Sequence, residues 1–317
     1  MALENKKYYF GWLPDYPDFR DYSVKNRTIS DKSRTAGVKD SVAMMIKKTG
    51  IPAGAEPDKD IKKPGSLKIP ESADLRKWCS PVEDQGELGS CTANAAVSLV
   101  EYFEKKANNI YIDGSRLFLY KTTRNLLQKK GDYGAYIRTT IMALVLFGVV
   151  PEKYWKYDVE KFEDEPDAFC YSFAQSYKTV QYFRLDLPKD NPPEKTLEQI
   201  KLSLAAKIPA IFGFSVYSTI YDASGNKGKI PFPCETDKFE GGHAVMAAGY
   251  DDGIEIVNSS DGSKTKGAIL IKNSWGKQWG DNGYGWLPYE YVLKGLAVDW
   301  WTILENNWVD TGKFKLD

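Results

Sequence analysis

Histidine is almost missing from this chain: one residue, His243, in 317. Any reaction that needs an imidazole has a single source for it, and a metal site built from several histidines is excluded. Cysteine is scarce as well. Cys79, Cys91, Cys170 and Cys234 are widely spaced and form no CxxC pair, so a zinc site is not expected, and neither is any other metal or cofactor. If Cys91 is free, the three others cannot all pair. At most one intramolecular disulfide then exists, which points weakly to a reducing, cytoplasmic setting. No window approaches the roughly 18 unbroken apolar residues of a membrane span. The opening MALENKKYYFGW carries charge without an apolar core, so it does not read as a signal peptide. Net charge is absent too: 43 basic residues balance 43 acidic ones, which gives no hint of a nucleic-acid or membrane partner. Internal repeats and low-complexity tracts are also lacking.

What is present is aromatic residues, with 9 Trp and 20 Tyr, and a clear division along the chain. Residues 1–68 read as a leader-like appendage. Its start holds Tyr8, Tyr9, Phe10, Trp12, Tyr16 and Phe19, and a short amphipathic helix is predicted from Val38 to Lys48, stopped at Gly50. Residues 69–205 read as mainly helical. TANAAVSLVEYFEKK after Cys91 is apolar nearly all round, the mark of a buried helix; TTIMALVLFG and LEQIKLSLAA are further helices. Residues 206–305 read as mainly β, from the short apolar or alternating runs AIFGFSVY, HAVMAAGYD, IEIVN and AILIKN. Residues 306–317 are expected to be a tail. A helical half followed by a sheet half predicts an α+β fold with a cleft between two lobes.

Three segments carry chemistry. PVEDQGELGSCTANAA puts Cys91 on the first turn of the apolar helix, where the partial positive charge of the helix end favours the reactive thiolate. Gly86 and Gly89 permit a tight turn there. Gln85, six residues upstream, has a side-chain amide able to donate to a carbonyl oxygen under attack, alongside the Cys91 N–H. Alone, a buried cysteine at a helix start is more commonly structural. The second segment is GGHAVMAAGY, in which His243 opens a strand. The third, ILIKNSWGKQWGDNGYGW, places Asn273 thirty residues later at a strand end, where its carbonyl can accept one imidazole N–H and fix the tautomer. Trp275 is suited to covering that bond. Taken singly, these two segments also read as a structural histidine and a Trp/Gly-rich β corner.

Together the three segments resemble the papain family of cysteine peptidases: Gln85…Gly89-Ser90-Cys91, then Gly242-His243-Ala244-Val245, then Lys272-Asn273-Ser274-Trp275-Gly276 with Trp279-Gly280 and Gly283-Tyr284, in the family's order. The resemblance covers about residues 69–305. It implies a helical left lobe bearing the cysteine and an antiparallel β-barrel-like right lobe bearing the histidine and asparagine. It also implies Cys91 as nucleophile, His243 as acid/base, Asn273 as its orienter and Gln85 as oxyanion donor, acting on peptide or protein substrates. Gly134 and Ala135 in GDYGAY, Gly242, Trp275 and Trp279 are the implied substrate-side residues. Leu88 stands where many relatives have a cysteine, and Thr92 where an aromatic residue is common. DDGIEIVNSSDGSKTKG is read as an extra hairpin, and the branch as a bacterial or archaeal one. The leading expectation is a cysteine endopeptidase with a thioester acyl-enzyme. The alternatives are an acyltransferase or transpeptidase, an aminopeptidase, and a non-catalytic binding module. Residues 1–68 are expected to occlude the cleft, with the stretch around Val42, Met44, Met45 and Ile46 reaching it; the competing reading is a permanent clasp on the fold.

Overall fold

In a computed structural model of the chain, the described residues are 8–15, 17, 21, 69–186 and 192–308. The helix expected at Val38–Lys48, the stretch around Met44, and Tyr16 and Phe19 lie outside them.

The helical part holds α1 (Cys91–Asn108), α2 (Arg116–Leu127), α3 (Ile137–Leu146) and α4 (Ala168–Ala174). From Cys91 to Glu104, only Ser98 and Phe103 of α1 are not fully buried. This is the central helix that the sequence predicts. Lys105 and Lys106 sit in its last turn, favourable to the negative end of the helix. The turn closes on Asn109 at φ 60°, a conformation asparagine tolerates better than most residues. The hydroxyl of Ser115 caps α2 by accepting the Phe118 N–H at 3.1 Å, and the Asp167 carboxylate caps α4 through the Cys170 N–H at 2.8 Å. Further on, α5 spans Pro193–Ala205, with proline at the first position where its missing N–H costs nothing. A short α6 covers Glu290–Leu293.

The strands are β1 (Ser72–Asp74), β2 (Tyr177–Arg184), β3 (Ala210–Tyr217), β4 (Phe239–Val257), β5 (Lys264–Lys272), β6 (Tyr284–Pro288) and β7 (Ala297–Trp308). They form one antiparallel sheet in the order β2-β7-β3-β4-β5-β6, with β1 added to β4. The sheet is open, with β2 and β6 at its edges, and with the helices it makes the expected α+β two-lobed fold. The expected hairpin is present as the far ends of β4 and β5, which pair to Val257↔Lys264 after a register shift between Asp251 and Glu255. Two boundaries differ from expectation. The supposedly helical half contributes β2, which pairs with β7, and β7 runs through Trp308 into the region read as tail.

The lobes are tied beneath the cleft by a buried lysine. Lys272, at the end of β5, sends its ammonium to Ser98 Oγ on α1 at 2.9 Å and to Ser80 Oγ at 2.8 Å. Burial lowers its pKa, and the charge of Glu101 opposes that; Glu101, buried in turn, is pushed up to about 7. All four cysteines are free. Among the described residues, no helix is long and apolar enough to cross a membrane, and no group of acidic, His and Cys side chains could hold a metal ion.

Candidate active site

Cys91 is fully buried at the first position of α1. The turn before it is fixed from both sides. The Gly89 N–H donates to the Asp132 carboxylate at 2.9 Å, Tyr120 Oη donates to the same carboxylate at 2.5 Å, and Ser90 Oγ shares a 2.6 Å hydrogen bond with Tyr157 Oη. Tyr157 Oη also donates to the Gln85 carbonyl at 2.9 Å. Residues 83–85 run antiparallel to 274–276: the Gln85 N–H donates to the Ser274 carbonyl at 2.8 Å and the Gly276 N–H to the Glu83 carbonyl at 2.9 Å. That pairing brings Gln85 beside the Asn273 segment. Ser274 Oγ donates to Gln85 Oε1 at 2.6 Å, which turns the amide nitrogen inward. Nε2 donates to the Leu88 carbonyl at 2.8 Å and to the Tyr9 carbonyl at 3.1 Å.

His243 lies on β4 opposite Phe214 of β3, and Asn273 follows the last residue of β5. Asn273 Oδ1 accepts the Ser274 N–H at 2.8 Å and lies 2.7 Å from His243 Nε2. Because that oxygen only accepts, Nε2 carries the proton and Nδ1 is left with the lone pair. Among the described residues Nδ1 has no hydrogen-bond partner. The imidazole stacks on Trp275 with ring centroids 4.3 Å apart, and Trp279 meets Trp275 edge-on at 5.5 Å.

The N-terminal residues 8–13 lie across these groups. Tyr8 stacks on the other side of Trp275 at 4.4 Å, and Phe10 meets the His243 ring edge-on at 6.2 Å. The Trp12 N–H donates to the Gly242 carbonyl at 3.1 Å, the Leu13 N–H to the Ala135 carbonyl at 3.0 Å, and the Ala135 N–H to the Gly11 carbonyl at 2.7 Å. Gly134, at φ +75°, is so close to Gly11 that a side chain there would collide with its carbonyl. Farther along, Arg138 of α3 pairs with both Asp15 and Asp21, and Arg184 of β2 is 3.7 Å from Asp21.

Cys91 and His243 are both fully buried. Burial pushes the Cys91 thiol up to about 12, against the pull of backbone N–H groups from Ala244, Gly11, Thr92 and Cys91 itself. Burial likewise drives His243 down to about 4, which the hydrogen bond to Asn273 only partly offsets. Burial therefore favours the neutral form of each group over a thiolate–imidazolium pair.

Of the residues singled out in the sequence, Cys91, His243, Asn273, Gln85, Gly134, Ala135, Gly242 and Trp275 all meet around residues 8–13, with Trp279 behind Trp275. Ser274, Tyr157 and Asp132 were missed as supports. Ser274 lies inside a recognised segment, where its hydroxyl was the available signal. Tyr157 has no local pattern to betray it.

The model of the papain family of cysteine proteases matches residues 69–293. A peptidase C1-like protein of Acanthamoeba polyphaga mimivirus is 34% identical over 302 residues, 93% of this chain and 86% of that one. Cathepsin K of Mus musculus is 26% identical over 230 residues, 69% of this chain and 60% of that one. Among solved structures, xylellain, a cysteine protease from Xylella fastidiosa, superposes with a TM-score of 0.65 at 31% identity, covering 96% of this chain and 98% of that chain.

Proposed function

The chain belongs to the papain family of cysteine proteases, and from that premise we propose that Cys91 is its nucleophile, His243 the acid/base, Asn273 the orienter and Gln85 the oxyanion donor. His243 Nδ1 takes the Cys91 thiol proton, and Cys91 Sγ attacks a peptide carbonyl carbon as the thiolate. The carbonyl oxygen takes negative charge and is held by Gln85 Nε2 and the Cys91 N–H; one such donor is worth about 3 kcal/mol. His243 passes a proton from Nδ1 to the departing amine, then draws one from the water that hydrolyses the thioester. Asn273 keeps the ring in the tautomer that allows both steps.

The same reading makes residues 8–13 an occluding segment and residues 1–68 a restraint on the protease. The observation that carries it is the hydrogen bond from Gln85 Nε2 to the Tyr9 carbonyl, made while the Gly11 N–H faces Cys91 Sγ: the donor assigned to the substrate oxyanion is already occupied by a backbone oxygen of the chain itself. The experiment is labelling of full-length protein with a thiol-directed epoxide, before and after limited cutting near Pro70. Labelling confined to Cys91 and accelerated by the cut is expected. A modified cysteine elsewhere rules out the nucleophile, and equal rates rule out the restraint.

A further inference from the structure

The two donors assigned to the oxyanion, Gln85 Nε2 and the Cys91 N–H, sit on separate turns, and no disulfide joins those turns because all four cysteines are free. A run of hydrogen bonds joins them. Asn94 Nδ2 on α1 donates to Ser90 Oγ at 3.0 Å. Ser90 Oγ lies 2.6 Å from Tyr157 Oη, which donates to the Gln85 carbonyl at 2.9 Å. A hydroxyl carries one proton. Tyr157 gives its proton to a carbonyl, so Ser90 is the donor toward Tyr157. All three bonds therefore point the same way, from α1 to the Gln85 backbone, and in such a run each bond polarises the next. Both ends bear on the donors. The Ser90 carbonyl and the Cys91 N–H belong to one planar peptide unit. Asn94 fixes that carbonyl with its own N–H at 3.0 Å and with Nδ2 at 3.1 Å. Tyr157 is in turn held in place. Its N–H donates to Glu152 Oε1 at 2.5 Å, and the Arg116 guanidinium lies over its ring at 4.3 Å. Arg116 also pairs at 3.1 Å with Glu83, on the stretch that leads into Gln85. Burial pushes the Tyr157 phenol up to about 12, so it remains a donor at neutral pH.

We infer that Tyr157 is a positioning residue for the oxyanion: by tying Ser90 to the Gln85 backbone, its hydroxyl sets the spacing between the Cys91 N–H and Gln85 Nε2. The inference deepens the proposed function and rests on it. Tyr157 acts through Ser90 and Gln85 and not on the sulfur. Its influence is therefore confined to steps in which a carbonyl oxygen becomes negative, since a displaced donor is missed most when that charge forms. A reaction of the thiolate that forms no oxyanion does not depend on the spacing.

Tyr157→Phe tests this, because it removes one oxygen and keeps the ring under Arg116. Variant and wild type are compared as full-length protein after the limited cut near Pro70, with near-UV circular dichroism as the check on folding. On a peptide amide, kcat should fall about tenfold while KM stays nearly unchanged. Alkylation of Cys91 by iodoacetamide should keep its rate and its pH profile, since the thiolate there displaces iodide from carbon and no carbonyl oxygen gains charge. Ser90→Ala breaks the same run one link earlier and should reproduce both results. The double variant should be little worse than either single one. An undiminished kcat overturns the inference. So does an equal loss in alkylation, which would put the effect on the thiolate, and so do single losses that multiply in the double variant. Each of these leaves the protease reading standing. If Tyr157→Phe does not fold, Ser90→Ala decides by the same two measurements. A cut wild type that neither hydrolyses peptides nor reacts at Cys91 is a failure of the protease reading, and the inference falls with it.

Discussion

Two parts of the molecule meet at Cys91, and different contacts hold them there. His243 and Asn273 ride on β4 and at the end of β5, whose backbones are paired strand to strand and whose facing side chains are buried. Neither can move without opening the sheet. Residues 8–13 arrive from far along the chain and rest on three backbone hydrogen bonds, stacked aromatic rings and, just beyond, Asp15 and Asp21 against Arg138 and Arg184. On the proposed reading these contacts are given up while the lobes stay folded, and the difference separates a fixed set of reacting groups from a removable cover. Each prediction below breaks one side of that comparison and leaves the other.

Breaking the fixed side has the largest effect. Cys91→Ala or His243→Ala should lower kcat/KM on peptides by about 10⁴-fold or more, whatever the state of the N-terminal segment, since removing a nucleophile or its base leaves only binding and oxyanion contributions. Cys79→Ser, Cys170→Ser and Cys234→Ser should each leave folded, active enzyme. Gln85→Ala should cost about 10²–10³-fold in kcat, the usual loss for one oxyanion donor. Steady-state assays on a cleaved peptide check all of these, and substantial activity in His243→Ala contradicts the assignment outright because no second histidine exists to replace it.

The cover should respond to pH, with a sign fixed by His243. Burial lowers its pKa to about 4, against about 6.5 for a free imidazole, and on the proposed reading release of residues 8–13 relieves that burial. The covered state therefore holds fewer protons. Its stability is complete above about pH 6.5 and weakens as pH drops toward 4, by up to about 3 kcal/mol at 1.36 kcal/mol per pH unit. Cys91 acts at the other end: the thiol is held at about 12 under the cover, so covering also weakens as pH rises above the ordinary thiol range near 8.5. Tryptophan fluorescence of full-length Cys91→Ala between pH 7 and 4 should report release of Trp12. In Cys91→Ala/His243→Gln the acid transition should move to lower pH, and an unmoved transition would assign it to other groups.

Arg138→Ala attacks the cover from the side. Arg138 is one-fifth exposed and Arg184 remains near Asp21, so the loss is below the several kcal/mol of a fully buried broken pair. A loss of about 1–2 kcal/mol of docking corresponds to roughly a tenfold faster cleavage of a small peptide. Unchanged rates would mean that the segment is a permanent clasp.

Much of this was legible along the chain, for physical reasons. The buried helix after Cys91 announces itself by being apolar nearly all round, and AIFGFSVY matches β3 end to end because its apolar, β-branched and aromatic residues form an unbroken run. The strand YKTVQYFR was read as part of a helical half, because its partner β7 lies more than a hundred residues away and supplies the pairing that makes it a strand. The fit of Trp12 against Gly213 and Asp299 spans most of the chain and leaves no local pattern. The covering role expected for the stretch around Met44 falls outside the described residues, and within them it is Tyr8 to Leu13 that lies at the site.

The smallest effect belongs to Ser274, whose side chain acts on the site through Gln85. Its hydroxyl donates to Gln85 Oε1 at 2.6 Å, and this contact turns Nε2 toward the carbonyl it holds. Removing one such hydrogen bond costs about 1 kcal/mol, and Gln85 keeps the bond from Nε2 to the Leu88 carbonyl as a second restraint. Ser274→Ala should therefore lower kcat by about fivefold and leave KM nearly unchanged, because a mispointed donor is missed only when the oxyanion forms. Ser274→Thr, which retains the hydroxyl, should recover most of the loss. In a Gln85→Ala background, Ser274→Ala should add almost nothing. If the two losses instead multiply, Ser274 acts on the site by some route other than the amide it holds.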